Sequence, residues 1–217
     1  MPDHARDPLS LDQIVSALSP FTGSIHISTE QAEKIRDYTE LLIKWNRSMA
    51  LTAIDDRLEI VSRHFGESIF ALSAMPGLAG RLADVGAGAG FPGLPLKIAR
   101  QEINVVLLEP NLKKCAFLNE VTRALGLNDV EVSRSRYEEY QSVGALFDFV
   151  CARALGDYRR LLRWAKGTLA PGGQVMLWLG TEDSILLSRT PGWSWDLPIQ
   201  IPESRKRVIQ IGRPLPT

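Results

Sequence analysis

Apolar residues recur at helical spacing through the first third of the chain. Ile14, Val15 and Leu18 follow Ser10-Leu11-Asp12-Gln13. Ile35, Tyr38, Leu42, Trp45 and Met49, spaced 3, 4, 3 and 4, follow Ser28-Thr29-Glu30-Gln31. Both leaders have capping-box form, in which the serine and the glutamine side chains each bond the other's backbone N–H. Each pattern predicts an amphipathic helix. Ile60, Val61, His64, Phe65, Ile69 and Leu72 predict a third, ended by Met75-Pro76-Gly77.

Beyond residue 78 the period changes. Short apolar runs at 81–85, 104–109, 130–132, 147–151 and 174–179 predict strands. Between them, 94–100, 113–125 and 158–169 predict helices. The second presents Cys115, Leu118, Val121, Thr122 and Leu125 on one face before Gly126, and the third stops at Ala170-Pro171-Gly172-Gly173. Residues 193–200 and 207–211 predict two last strands forming a hairpin. Strands alternating with helices imply a parallel sheet covered on both faces, a three-layer α/β/α fold of Rossmann-like type. Residues 1–78 read as a helical N-terminal extension and 79–217 as the sheet-bearing domain, together one compact unit.

Composition narrows the function. The 217 residues are 45% hydrophobic and 23% charged, which argues against a disordered chain. Lys+Arg and Asp+Glu both number 25, so the net charge is zero. A non-specific DNA coat and a polybasic membrane binder are therefore not expected, although a local basic patch is allowed. No apolar run reaches the roughly 18 residues of a membrane span. Met1 to Ser10 lacks the apolar core of a signal peptide, so the expected location is the cytoplasm. Cys115 and Cys151 lack metal-type spacing, and no metal site is expected.

The strongest chemical signal is Asp84-Val85-Gly86-Ala87-Gly88-Ala89-Gly90-Phe91-Pro92-Gly93, between a strand and a helix. Gly86, Gly88 and Gly90 permit positive φ and close approach of a ligand to the backbone. Glu109 ends the next strand, 19 residues past Gly90. In a doubly wound sheet a carboxylate there faces the first loop and can accept both ribose hydroxyls of a nucleoside. The spacing is G-x-G-x-G rather than the dinucleotide G-x-G-x-x-G. Asp84 offers an anion near the ammonium of a methionine moiety. Together these favour S-adenosyl-L-methionine over a dinucleotide, and with it a class I methyltransferase.

Further blocks are Lys44-Trp45-Asn46, Leu51-Thr52, Arg63-His64 with Glu67-Ser68, Leu107-Leu108-Glu109, Phe117-Leu118, Ser135-Arg136-Tyr137-Glu138-Glu139 and Ala152-Arg153-Ala154. With the glycine loop, their order and spacing from Gln31 to Pro171 resemble the bacterial small-subunit ribosomal RNA guanine-N7 methyltransferases. The resemblance implies methyl transfer from S-adenosyl-L-methionine to N7 of one guanine near the decoding centre. The implied partner is small-subunit ribosomal RNA or an assembling 30S particle, with neither DNA nor membrane. By position it carries cofactor contact to Gly86, Phe91, Tyr137, Glu138 and Arg153, and the loop reading adds Gly88, Gly90 and Glu109. The chain departs from the family pattern at Ala50, at Glu67 where an aspartate is usual, and at Leu179 where a lysine is frequent.

Guanine N7 has an unprotonated lone pair at neutral pH, so no base has to act first. Catalysis is then mainly alignment with water excluded. After the fourth strand stands Cys151-Ala152-Arg153-Ala154, not the Asn/Asp-Pro-Pro-Tyr/Phe run of many amine methyltransferases. Cys151 reads as a small buried strand residue rather than a nucleophile. Arg153 suits a cofactor carboxylate or a phosphate better than guanine N7, since a bond there would block the attacking lone pair. Arg153, Arg159, Arg160, Arg163 and Lys166, with Arg205-Lys206-Arg207 and Lys113-Lys114, are candidate phosphate contacts. A methyltransferase with another substrate and a non-catalytic ribosome-associated cofactor-binding module share these features.

Overall fold

The computed structural model describes residues 7–141 and 145–216. Both capping boxes form, at the starts of α1 (Leu11–Thr22) and α2 (Thr29–Asn46). The third helical stretch forms and ends at Met75 as expected, but it is not α-helical throughout. It breaks into α3 (Arg57–Ile60), a π-helical segment Val61–Gly66, α4 (Glu67–Ile69) and α5 (Ala71–Ala74). Gly66 lies against the Phe21 ring, and a Cβ there would stand 2.4 Å from Phe21 Cδ2. Apolar periodicity does not register that steric demand.

The strands follow as β1 (Arg81–Val85), β2 (Asn104–Leu108), β3 (Val130–Ser133), β4 (Phe147–Arg153), β5 (Leu169–Gly180), β6 (Trp193–Trp195), β7 (Ile199–Gln200) and β8 (Arg207–Pro214). The sheet order is β3-β2-β1-β4-β5-β8-β6, with β7 also paired to β8. Strands β1 to β5 are parallel and β8 runs antiparallel against β5. Between them lie α6 (Gly93–Ala99), α7 (Leu112–Ala124), α8 (Tyr158–Thr168) and α9 (Thr181–Leu187). The strand order reverses between β1 and β4, which opens a crevice at their carboxyl ends.

Strand alternation divides the core in two. Leu82, Val105, Leu107, Cys151, Met176 and Trp178 join α1, α2, α6 and α7 on one side of the sheet. Ala83, Val85, Val106, Leu108, Val150, Ala152, Val175 and Leu177 join α8 and α9 on the other. The N-terminal helices thus share one apolar cluster with one face of the sheet.

Two parts of the tail differ from the sequence reading. Strand β5 begins before Pro171: Leu169 pairs with Phe147, and the register shifts between Phe147 and Phe149. The expected hairpin forms, antiparallel on β8, but its first arm is split into two short strands. Ile199 of β7 faces Ile209 and Trp193 of β6 faces Pro214. Pro198, which cannot donate to a ladder, separates the two short strands.

In a helix interior, Gly→Ala ordinarily stabilises by roughly 0.5–1 kcal/mol. At Gly66 the sign should reverse, because the new methyl must displace a buried aromatic ring, at a cost of about 1–3 kcal/mol. Urea unfolding of Gly66→Ala should show a lowered midpoint; a raised one would mean that α1 does not pack against Gly66.

Candidate cofactor and acceptor site

The loop after β1 turns on three glycines with positive φ: Gly86 at 71°, Gly88 at 57° and Gly90 at 87°. They are bare for different reasons. A Cβ on Gly90 would stand 2.3 Å from the Tyr38 hydroxyl and 2.7 Å from Leu94 Cδ1, so packing forbids one. A Cβ on Gly86 or Gly88 would meet only Leu155 Cδ1 at 3.5 Å or Gly86 O at 3.7 Å. Those two glycines leave open backbone, a cradle that side chains would fill.

Glu109 closes on this loop, as its spacing implied. Its Oε2 accepts from Gly88 N at 2.9 Å and its Oε1 from Asn111 N at 2.9 Å. A carboxylate has about four acceptor sites, so two remain for the hydroxyls of a ribose. Bare loop and free acceptors together fit a nucleoside-bearing cofactor.

Asp84 is placed differently from the reading that put an anion beside an ammonium. Its carboxyl is wholly buried beneath the loop, with Oδ2 accepting from Gly93 N at 2.8 Å. Oδ1 has no hydrogen-bond partner. Burial raises its pKa to about 7, opposed by the Gly93 N–H and the Cys151 thiol and assisted by Glu109. Cys151 is itself fully buried, its thiol raised by that burial and by Asp84, which suits a packing residue and not a nucleophile.

The far side of the loop rests on the N-terminal helices. Tyr38 donates to Ala89 O, and its ring stacks on Phe91 with centroids 5.4 Å apart. His64 stacks on Phe91 from 4.7 Å, and its Nε2 lies 2.8 Å from Thr52 Oγ1. Asn46 Oδ1 in turn accepts from Leu51 N and Thr52 N. Burial, with Arg153 and Arg63 nearby, pushes His64 down to about 3, so the ring is neutral at physiological pH. The Phe91 side chain is committed to this packing, which leaves its backbone for any ligand.

Tyr137 and Glu138 lie in a 3₁₀ turn, Tyr137–Glu139, after β3. The Tyr137 ring meets Trp164 edge-on, and its hydroxyl is pushed up to about 12 by burial and then by Glu138. Glu138 pairs with Arg160. These side chains hold one another, and the turn's backbone remains for an adenine edge.

Arg153 ends β4 in an unforeseen arrangement. Its Nη2 is 3.2 Å from Glu67 Oε2 and its Nη1 donates to Arg63 O at 3.0 Å. Glu67, 1% exposed, also takes Arg207 Nε at 3.0 Å and Nη2 at 2.6 Å on Oε1. Two guanidiniums on one carboxylate leave a net positive charge beside a cavity of about 450 Å³, which Trp178, Leu155 and Tyr158 also line. Leu179 sits in the same wall, and the next residue, Gly180, pairs with Arg207. The Glu67-Ser68 block and the basic tail were both visible in sequence; their meeting depends on β8 returning beside β5.

Asp84 predicts a pH signature. Between about pH 4 and 7 the unfolded chain ionises this group while the folded chain keeps its proton. The folded state then binds more protons, so stability falls as pH rises through that window and levels off above it. Asp84→Asn keeps an acceptor for Gly93 N–H and removes the titration. The gap between its urea midpoint and that of the wild type should grow from pH 4 to 7; parallel profiles would rule this out.

Residues 31–190 match the family model described as rRNA small subunit methyltransferase G. The chain is 36% identical over 184 residues to the Ribosomal RNA small subunit methyltransferase G of Chromobacterium violaceum, covering 82% of this chain and 86% of that protein. It is 40% identical over 146 residues to the protein of the same name from Legionella pneumophila strain Corby, covering 67% of each. Among solved structures, a glycopeptide N-methyltransferase complexed with sinefungin superposes with a TM-score of 0.60 at 12% identity, over 71% of this chain and 87% of that one. A ribosomal protein L11 methylase from Lactobacillus delbrueckii subsp. bulgaricus gives 0.58 at 14% identity, over 71% and 80%. At such identities the structural likeness is one of fold, and that fold is the Rossmann-like one of class I methyltransferases. The glycine cradle and its facing carboxylate thus stand in a chain that belongs to the rRNA small subunit methyltransferase G family of S-adenosyl-L-methionine-dependent enzymes.

Proposed function

We propose that this protein methylates N7 of a guanine in small-subunit ribosomal RNA, free or within an assembling 30S particle, in the cytoplasm. The observation that carries this reading is the open backbone at Gly86 and Gly88 facing the Glu109 carboxylate, in a chain of this family. When bound, S-adenosyl-L-methionine supplies an electrophilic methyl on a positively charged sulfur. Gly86 and Gly88 admit the nucleoside against the main chain, and Gly90 lets the loop pass over Tyr38. Glu109 accepts the ribose hydroxyls on lone pairs that Gly88 and Asn111 leave free. The backbone at Tyr137 and Glu138 frames the adenine, and Phe91 contributes through its backbone.

The acceptor base belongs in the cavity at the ends of β4 and β5. Leu155 lines that cavity and also reaches the Gly86 turn, so acceptor space adjoins cofactor space. Arg153, held by Glu67 and the Arg63 carbonyl, supplies positive charge there and does not serve as a proton acceptor. An N7 target needs no base, and the work of the site is alignment and exclusion of water.

Two measurements test this. Glu109→Ala should weaken cofactor binding in calorimetry by roughly 1–3 kcal/mol, the cost of losing hydrogen bonds to a charged group. Unchanged affinity in a folded variant removes Glu109 from the site. Incubation with tritiated cofactor and small-subunit RNA or particles lacking the modification should place label at guanine N7. Label on an exocyclic amine, or on protein alone, overturns the target.

A further inference from the structure

The cavity at the ends of β4 and β5 does not end at the acceptor site. It shares Gly156, Tyr158 and Asp183 with a second hollow of about 240 Å³. That hollow shares Asp157, Arg159, Leu186 and Thr190 with a third, of about 600 Å³, lined further by Arg163, Arg189 and Pro191. The three form one groove that leaves the acceptor site and runs outward between α8 and α9.

Charge is distributed unevenly along it. Among the described residues several arginines are spent on acids: Arg57 on Glu40, Arg63 on Glu59, Arg160 on Glu138, Arg213 on Asp196, and Arg153 with Arg207 on Glu67. Among the described residues, the guanidiniums of Arg159, Arg163 and Arg189 have neither a hydrogen bond nor an ion pair. All three line the groove. Arg159 and Arg163 stand four residues apart on α8, on one face and about 6 Å apart along its axis, the scale of one step along an extended strand. Arg160 points to a different face, where Glu138 holds it. Asp157 spends one oxygen capping α8 at Arg160 N, and Asp183 lies toward the inner end.

The apolar part of the lining fits the same occupant. Leu186 is 67% exposed and, with Pro191, stands among the three cations. Alternating cations and apolar faces match a single strand of nucleic acid, whose phosphates and base planes need one of each. We propose that this groove seats the single-stranded RNA that flanks the target guanine, with Arg159, Arg163 and Arg189 on its phosphates and Leu186 and Pro191 against its bases. The inference rests on the ribosomal RNA reading above and adds where the strand runs.

The test compares the wild type with Arg163→Gln/Arg189→Gln, both distant from the glycine loop, on small-subunit RNA lacking the modification. Each phosphate contact to a single strand contributes about −0.7 to the slope of log affinity against log salt. The double variant should therefore bind with a slope shallower by about 1.4. The loss in methyl transfer should sit in KM for RNA rather than in kcat, with cofactor affinity and melting temperature unchanged. Arg163→Lys/Arg189→Lys, which keeps both charges, should restore most of the slope. An unchanged slope and KM in the glutamine variant, with wild-type transfer intact, overturns the groove and leaves the RNA activity standing. A loss confined to ribosomal particles, with free RNA bound as before, would assign the groove to a ribosomal protein and overturn it too. Absence of RNA methylation by the wild type takes down the activity and the groove together.

Discussion

The turn between β1 and α6 has to be built from backbone alone, and the surrounding structure accommodates that constraint. One side of the loop is filled by Tyr38, Leu94 and the Asp84 carboxyl, so Gly90 and Gly93 have no room for a Cβ. On its other side Gly86 and Gly88 stay open, and their positive φ excludes most other residues without any contact. A loop so thin has little rigidity of its own. It is held at Gly88 by Glu109, at Gly93 by Asp84 and at Ala89 by Tyr38, so three elements fix five or six residues of main chain.

This constraint explains why the N-terminal helices are bound into the methyltransferase body. Tyr38, Phe65, His64 and Phe91 form an aromatic cluster under the second half of the loop, and Thr52 and Asn46 hold the histidine from behind. A neutral imidazole can stack flat on Phe91 beside two arginines; a charged one would meet repulsion there, which is the sense of its depressed pKa. Glu67 extends the same connection to the acceptor cavity. A carboxylate buried to 1% exposure would be costly unpaired, and it takes two guanidiniums from β4 and β8. Three segments distant in sequence are thereby fixed at one point, the wall of the site.

Much of this was legible in the chain. Strand β1 and the two capping boxes fell on the residues expected, because apolar alternation and side-chain capping are local properties. The relation of Glu109 to the glycine loop was legible for a different reason. In a doubly wound sheet the end of the second strand lies beside the end of the first, so spacing along the chain translates into distance. Where spacing does not translate, sequence reasoning fell short. The close packing of Phe21 on Gly66 brings together residues 45 apart in sequence, and the partnership of Arg207 with Glu67 depends on a strand returning 140 residues later. Asp84 was recognised as important and assigned to the wrong side of the loop. An acid before a glycine run can face up to a ligand or down to a helix, and only packing decides.

The charge arrangement completes the argument about substrate. A protein of zero net charge cannot hold RNA by its overall field, so affinity has to come from cations placed locally. The ion pairs show how that is done without making the surface basic. Glu40, Glu59 and Glu138 each neutralise an arginine, whereas the outer hollow of the groove sets Arg159, Arg163 and Arg189 against Asp157. At Glu67 the balance is intermediate, with two guanidiniums against one carboxylate, a rigid positive cluster in a cavity that Asp183 also lines. A nucleotide entering that cavity meets preorganised charge at its base and unpaired cations along its flank. Productive alignment of N7 can then be set by the strand's path as well as by contacts to the reacting base, and an N7 acceptor asks for little else from the protein.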